Sequence, residues 1–399
     1  MDVVSYRGPG VAGGVSSGLG NMWRSQSDSS SLWWYMNKNT FEFLSTKSER
    51  STFIAMLPES LIEGHYKFCN EFIWPLMHDL PEFASYNADN HEQYLTFNRI
   101  ISEHIDVEAS LASEFFIQDY QLALIPKWMS MYNRRTVIYW HIPFPKNVPS
   151  EFVKPVFEIV EGMLGAAAIG FHTDEYARNF MSFVDAHLSG YKTDKQNLKV
   201  VSRVKQGANS QRKSAAVSHF SYAMRRPIQM LARESATTEL HVHPLGIDLA
   251  SWSNLGRESQ NIEVSEDLRT LADSKFILSV DRVDYTKSVL DRIQIIDKFF
   301  ETHPNLVGEI TFAQVCGRSR TGLQAFDKYF DECDALTEQV NNRWSTSEWK
   351  PINWIKQSLS PAELAYLYTH AQAMLVNPVR DGLNLTAKEF IACQDSYPG

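Results

Sequence analysis

Arg282 and Lys287 stand five residues apart in the stretch FILSVDRVDYTKS, directly after an apolar, β-branched run. Two cations at that spacing could clamp a diphosphate, or could be paired with neighbouring carboxylates such as Asp281 and Asp284. A second run, AMLVNPVRDGLNLTAKEF, turns at Asp381-Gly382 and reads as entering a helix near Asn384 and Leu385. The first N–H groups of a helix lack intrahelical partners and favour an anion. Glu389 falls one helical turn past Leu385. A carboxylate beside an anion site would repel phosphate, so its natural partner is a neutral diol such as a nucleotide ribose. Cation pair, amide cup and diol acceptor together suit a nucleoside diphosphate.

In the other half of the chain, His141 follows the run TVIYW and is held by Pro143 and Pro145. A single histidine at a strand end is as readily a satisfied structural residue as a functional one. Asp119 in IQDYQL and Trp74 in the turn FIWP are further candidates at strand ends. Near the start, Gly8-x-Gly10-x-x-Gly13 formally matches a dinucleotide-binding fingerprint. That fingerprint also needs an acidic residue about twenty positions on, at the end of a second strand. Here that place holds SQSDSSS, which reads as a loop. The glycines are therefore better suited to cradling a phosphate than to binding a nicotinamide cofactor.

These residues need a scaffold that brings strand ends together. Strand-like runs recur at 3–7, 115–119, 136–140 and 166–171, then at 275–280, 309–315, 351–355 and 373–377, each followed by a segment of helical period. Such alternation predicts parallel sheets with helices on both faces. The runs form two groups, which predicts two doubly wound domains with a cleft between them, covering residues 1–245 and 246–399. Ligands of such sheets bind at the carboxyl ends of the strands. From Lys192 to Arg233 the chain carries ten basic residues against one acidic, Asp194, and reads as an insertion in the first domain: a solvated excursion, or an arm for a polyanion or protein partner.

Composition narrows the function classes. The 399 residues are 44% hydrophobic and 21% charged, which is globular. Thirty-eight basic against forty-seven acidic residues give a net charge of −9, which speaks against a protein that coats nucleic acid or an anionic membrane. The four cysteines, Cys69, Cys316, Cys333 and Cys393, are widely spaced, so neither a metal site nor a disulfide framework is expected. The most apolar stretch is about ten residues, short of the roughly 18–20 of a membrane span. A soluble, reduced, cytoplasmic chain is the expectation.

The stretches SYRGP…AGG, FIWP, QDYQL, HIPFP, SVDRVDYTKS, GRSR and PVRDGLNLTAKE, in that order, resemble the trehalose-6-phosphate synthase family of retaining glycosyltransferases, which includes glucosylglycerol-phosphate synthases. The resemblance spans nearly the whole chain. It implies a GT-B fold of two Rossmann-like domains, a nucleotide-sugar donor and a phosphorylated acceptor, with no cofactor and no metal. By the same resemblance the donor diphosphate falls to Arg282 and Lys287 with Gly14 nearby, the glucose to His141 and Asp381, the helix cup to Asn384 and Leu385, and the ribose to Glu389. The acceptor falls to Arg7, Trp74, Asp119 and Arg320, the two arginines gripping its phosphate.

The chain departs from the family pattern at four places. Tyr6 stands where Asn is usual, Gln118 where His is usual, Ser288 where Gly is usual, and His65 where trehalose-type members carry a phosphate-binding Tyr. The expected reaction is transfer of glucose from UDP-glucose to glucose-6-phosphate, giving α,α-trehalose 6-phosphate. The alternatives are glycerol-3-phosphate as acceptor, or a non-catalytic relative that binds sugar phosphate. The resemblance also predicts two further strands and a crossing helix in the family's second domain, so that here the domain is incomplete and the run 373–377 an exposed, aggregation-prone edge. Homo-oligomerisation stays open.

Overall fold

The computed structural model describes residues 1–9, 19–20, 23, 31–47, 50–202 and 237–394. The glycine loop from Gly10 through Gly14 and most of the basic insertion lie outside the described residues. The chain divides into two compact units, Met1–Leu245 and Gly246–Gly399.

The first unit is built on one sheet. Its strands are β1 (Asp2–Ser5), β2 (Trp33–Asn37), β3 (Glu42–Lys47), β4 (Arg50–Met56), β5 (Phe115–Gln118), β6 (Thr136–Trp140), β7 (Ala168–Phe171), β8 (Tyr191–Asp194), β9 (Lys199–Ser202) and β10 (Thr237–Val242), in the order β4-β3-β2-β1-β5-β6-β7-β10-β9-β8. From β2 through β10 in that order neighbours run parallel. Antiparallel pairs extend both edges, β2-β3-β4 on one side and β10-β9-β8 on the other. The start of the basic segment read as an insertion is therefore sheet, β9 pairing onto β10 and β8 onto β9.

Helices α1 (Glu59–Lys67), α2 (Trp74–Met77), α3 (Ala88–Glu108), α4 (Ile125–Met131), α5 (Val153–Met163) and α6 (Asp174–His187) accompany this sheet. In α5, Val156, Ile159, Val160 and Met163 recur at helical spacing and are buried, which is the stripe a helix needs to lie on a sheet. At the start of α6, Thr173 caps the helix by accepting from the Tyr176 N–H. Gly170 of β7 pairs with Tyr139, and a Cβ there would sit 2.5 Å from the Tyr139 ring. Glycine thus lets that ring lie over the strand beside His141.

The second unit holds a parallel sheet of β11 (Phe276–Val283), β12 (Thr311–Arg318), β13 (Ile352–Ile355) and β14 (Ala373–Met374), in the order β13-β12-β11-β14. Its helices are α7 (Leu249–Glu258), α8 (Glu266–Ala272), α9 (Val289–Thr302), α10 (Gln324–Trp344), α11 (Pro361–His370) and α12 (Thr386–Ala392). Leu278, Val280, Ala313, Val315, Leu367, Tyr368 and Phe390 form one core face of the sheet. No described helix is long and apolar enough to cross a membrane.

Candidate active site

In the first unit, the ends of β5 and β6 converge. Asp119 follows β5 directly with φ 70°, a left-handed backbone that turns its carboxylate toward the neighbouring strand. Its Oδ1 accepts the His141 backbone N–H at 3.1 Å. His141 follows β6, is 9% exposed, and places Nε2 2.9 Å from Gln118 Oε1. Its Nδ1 is buried without a hydrogen-bond partner. Burial, reinforced by His172 nearby, holds this imidazole well below the ordinary histidine range, so it is neutral near pH 7.

Trp74 is placed differently from the expectation. It does not sit in a turn at a strand end but opens α2, where a π-helical stretch, Phe68–Ile73, continues α1 without a break. Pro75 lies inside this continuous helical run and cannot donate to the Glu71 carbonyl one turn back, which instead accepts the Ser85 N–H at 2.7 Å. The indole is 7% exposed and lies 6.0 Å from the Tyr120 ring, beside Asp119 in sequence. Arg7 is exposed just past β1. Its charge lies close enough to Lys38 to add to the burial that pulls the Lys38 ammonium below its usual range. Lys38 in turn sits 3.5 Å over the Tyr66 ring.

His65 cannot take the place of the phosphate-binding tyrosine. It is fully buried, stacked against Tyr6 and Tyr94 with the Phe97 ring tilted 4.0 Å away, and bonded through Nε2 to the Gln121 carbonyl at 2.9 Å. Burial lowers it to about 4.

In the second unit, three cations and three carboxylates sort into pairs that differ from the nearest neighbours in sequence. Lys287, in a tight turn after β11, pairs with Asp381, the two side chains being 12% and 16% exposed. Asp281 is taken by Arg292 of α9, at 2.6 Å and fully buried. Asp284 is taken by Arg320 at 2.5 Å and also caps the turn that carries Lys287, accepting from the Thr286 N–H and hydroxyl. Arg282 lies within β11 rather than past it, and is exposed. Arg320 is 7% exposed and adopts a left-handed backbone, φ 48°. Its guanidinium is thus held by Asp284 in the second unit, a partner the sequence reading did not assign.

The helix cup is also modified. Helix α12 begins at Thr386, and the Asn384 side chain accepts the Ala387 N–H at 2.9 Å, so one of the amides expected to face an anion is already capped. Leu385 precedes the helix. Glu389 of α12 accepts from the Tyr368 hydroxyl at 3.2 Å, and burial raises its carboxyl above the usual range. Arg292 went unassigned in the sequence, although a signal existed. It interrupts the apolar stripe Val289, Ile293, Ile296 and Phe300, and a charge on a buried helix face needs a partner. Among the described residues, no three His, Cys, Asp or Glu side chains stand together as metal ligands.

A family model, glycosyltransferase family 20, matches residues 26–399. Among similar proteins is a bifunctional trehalose-6-phosphate synthase/phosphatase of Thermoproteus tenax, 32% identical over 85% of this chain and 42% of its own length. Another is a UDP-forming α,α-trehalose-phosphate synthase of Pichia angusta, 26% identical over 86% of this chain and 67% of that one. The chain thus spans from under half to about two thirds of the length of these relatives. A crystal structure of the UDP-forming synthase from Burkholderia vietnamiensis matches all of this chain and 81% of its own at 20% identity, with a TM-score of 0.82. The Burkholderia xenovorans synthase in complex with glucose-6-phosphate matches with a TM-score of 0.80 at 21% identity, over all of this chain and 83% of its own. At such identities the likeness carries the fold, which is the two-unit GT-B type with the second unit partial. By the family model and the extent of its match, this chain belongs to glycosyltransferase family 20.

Proposed function

We propose that the chain is a retaining glucosyltransferase that moves glucose from UDP-glucose to glucose-6-phosphate, giving α,α-trehalose 6-phosphate. The observation that carries this reading is the largely buried Lys287–Asp381 pair on a family member. It joins, in one unit, the cation assigned to the leaving diphosphate and the carboxylate assigned to the glucose. Relatives are named as UDP-forming synthases, and related crystals hold UDP-2-fluoro glucose in an Escherichia coli protein and glucose-6-phosphate in the B. xenovorans one.

In this reading Arg282 and Lys287 meet the diphosphate, Glu389 the ribose, and Asp381 and His141 the glucose hydroxyls. Gly14 belongs to the donor side, as do Asn384 and Leu385 at the start of α12. Arg7 holds the acceptor phosphate with Arg320, whose orientation Asp284 sets, while Trp74 and Asp119 bound the acceptor sugar. The bond from the anomeric carbon to the diphosphate oxygen breaks, and a bond to the acceptor oxygen forms on the same face. The acceptor hydroxyl proton passes to the leaving phosphate oxygen. Preorganised cations stabilise the charge that grows there, each worth about 3–4 kcal/mol where water is excluded. A gripped acceptor phosphate makes the encounter oriented, an advantage of up to about 7–11 kcal/mol.

One observation favours a second acceptor. With His65 buried, the position where trehalose-type members carry a phosphate-binding Tyr offers the acceptor no group, so this chain departs from the trehalose-type pattern there and glycerol-3-phosphate is the second acceptor to be tested. The test offers the full chain UDP-glucose with each acceptor and follows product mass and UDP release. Glucosyl transfer to glucose-6-phosphate, reduced on the order of a hundredfold by Arg282→Ala or Lys287→Ala, is expected. Transfer to glycerol-3-phosphate alone would select the second acceptor. Sugar-phosphate binding without any UDP release would make the chain a non-catalytic relative.

A further inference from the structure

Gln118 ends β5 with a side chain only 1% exposed. Its Oε1 lies 2.9 Å from His141 Nε2, and its amide nitrogen faces the Phe116 carbonyl at 3.5 Å. An oxygen can only accept, so this orientation puts the imidazole proton on Nε2. The reverse orientation would set Oε1 against the Phe116 carbonyl oxygen. It would also demand a proton on Nδ1, where no acceptor lies. The ring is buried and neutral, so it carries a single N–H. Nδ1 is then a bare lone pair without a protein partner, in a residue 9% exposed. Leaving such an acceptor unsatisfied is costly, and a hydroxyl of a ligand would satisfy it.

The surroundings keep the ring from turning away. The His141 backbone is tied to Asp119, and the ring lies 4.5 Å from Tyr139 and 5.3 Å from His172. Tyr139 is itself anchored by its hydroxyl to the His243 carbonyl, and the His172 Nδ1 accepts the Leu245 N–H.

We propose that Gln118 is a positioning residue that, by accepting from the Nε2–H, locks His141 in the tautomer whose Nδ1 accepts a hydrogen bond from a sugar hydroxyl. The inference rests on the reading of His141 as a sugar contact. Gln118 stands where the resembled family usually has His, so an amide oxygen serves here to orient the imidazole.

The test uses the full chain with histidine labelled by ¹⁵N in the ring, the His141 signals being assigned by their loss in His141→Asn. The expected spectrum has Nε2 protonated and Nδ1 bare. Gln118→Leu should lose that single tautomer and lower kcat/KM for UDP-glucose on the order of ten- to a hundredfold, the usual worth of a partner that orients a functional imidazole. Gln118→Glu keeps an acceptor oxygen and should keep Nε2 protonated. A proton on Nδ1 in the unmutated chain, or an unchanged spectrum in Gln118→Leu, would overturn the proposal. Should Gln118→Leu not fold by circular dichroism, the unmutated spectrum alone decides. Absence of UDP release from the unmutated chain would count against the enzymatic reading, while the imidazole spectrum still reports whether Gln118 sets the tautomer.

Discussion

His65 makes the stability of the first unit depend on pH in a calculable way. In the unfolded chain the imidazole titrates near 6.5. In the fold it is fully buried among Tyr6, Tyr94 and Phe97 and titrates at about 4, burial being the main cause. Between those values the unfolded state binds a proton that the native state refuses, so acid favours unfolding. The contribution is complete above pH 6.5 and is lost as pH falls toward 4. Each pKa unit is worth about 1.4 kcal/mol, which makes the full loss about 3 kcal/mol, with about 2 kcal/mol gone by pH 5. His65→Gln removes the titration while retaining a donor for the Gln121 carbonyl. Urea titrations of both proteins at pH 7.5 and pH 5 isolate the effect, since every other group contributes equally to both. The variant starts with an offset from lost ring packing and should regain about 2 kcal/mol relative to the parent at pH 5. A pH-independent difference would refute the neutral, buried state. The same variant tests function, because a residue with no exposure cannot touch an acceptor phosphate. KM for glucose-6-phosphate should stay within about twofold, and a large rise would restore His65 as a ligand.

Arg320→Leu strands Asp284 without its cation at a site with no exposure, and should cost about 3–5 kcal/mol in denaturant titrations. Adding Asp284→Asn should recover most of it, and an undiminished stability of the single variant would show the pair to be solvated. Ser288 occupies a left-handed position, φ 50°, before α9. Glycine reaches that conformation without strain but loses more chain entropy on folding, so Ser288→Gly should raise stability by up to about 1 kcal/mol. A lower Tm would mean that the serine hydroxyl does more than its backbone costs.

How much of this could be read from the sequence depended on what each segment had to bury. β6 runs from Thr136 to Trp140, the residues its apolar run predicted, because Arg134 and Arg135 bound it on one side and Pro143 on the other. β3 and β4 were not predicted. EFLSTK and RSTFIAM mix polar and apolar residues, and β4 is largely exposed at the sheet edge. β11 and β12 outran their predicted ends through Asp281, Arg282, Gly317 and Arg318. Backbone pairing of Asp281 with Cys316 and Arg282 with Gly317 continues past the apolar core, because the ladder is indifferent to the side chains beyond it. Trp74 was misplaced for the opposite reason. An X-Pro step reads as a turn, yet here the helical run carries through Pro75, because the carbonyl that the proline leaves unbonded, that of Glu71, takes the Ser85 N–H instead.

The ionic residues show a sharper limit. That Arg282, Lys287, Asp281 and Asp284 cluster after one strand was plain in the sequence, and proximity suggested that they pair among themselves. The fold instead sends Lys287 to Asp381, Arg292 to Asp281 and Arg320 to Asp284. The rule that buried charge is neutralised requires partners without naming them, and only the packing of α9 and of the loop before α12 decides among carboxylates. This bears on the proposed chemistry. In the proposed reaction a diphosphate approaching Lys287 would meet an ammonium already compensated by Asp381, so its binding would draw on the difference between two attractions rather than on a bare cation. The arrangement favours the state with the most negative charge on the phosphate oxygens, and that charge is greatest as the bond to the sugar breaks.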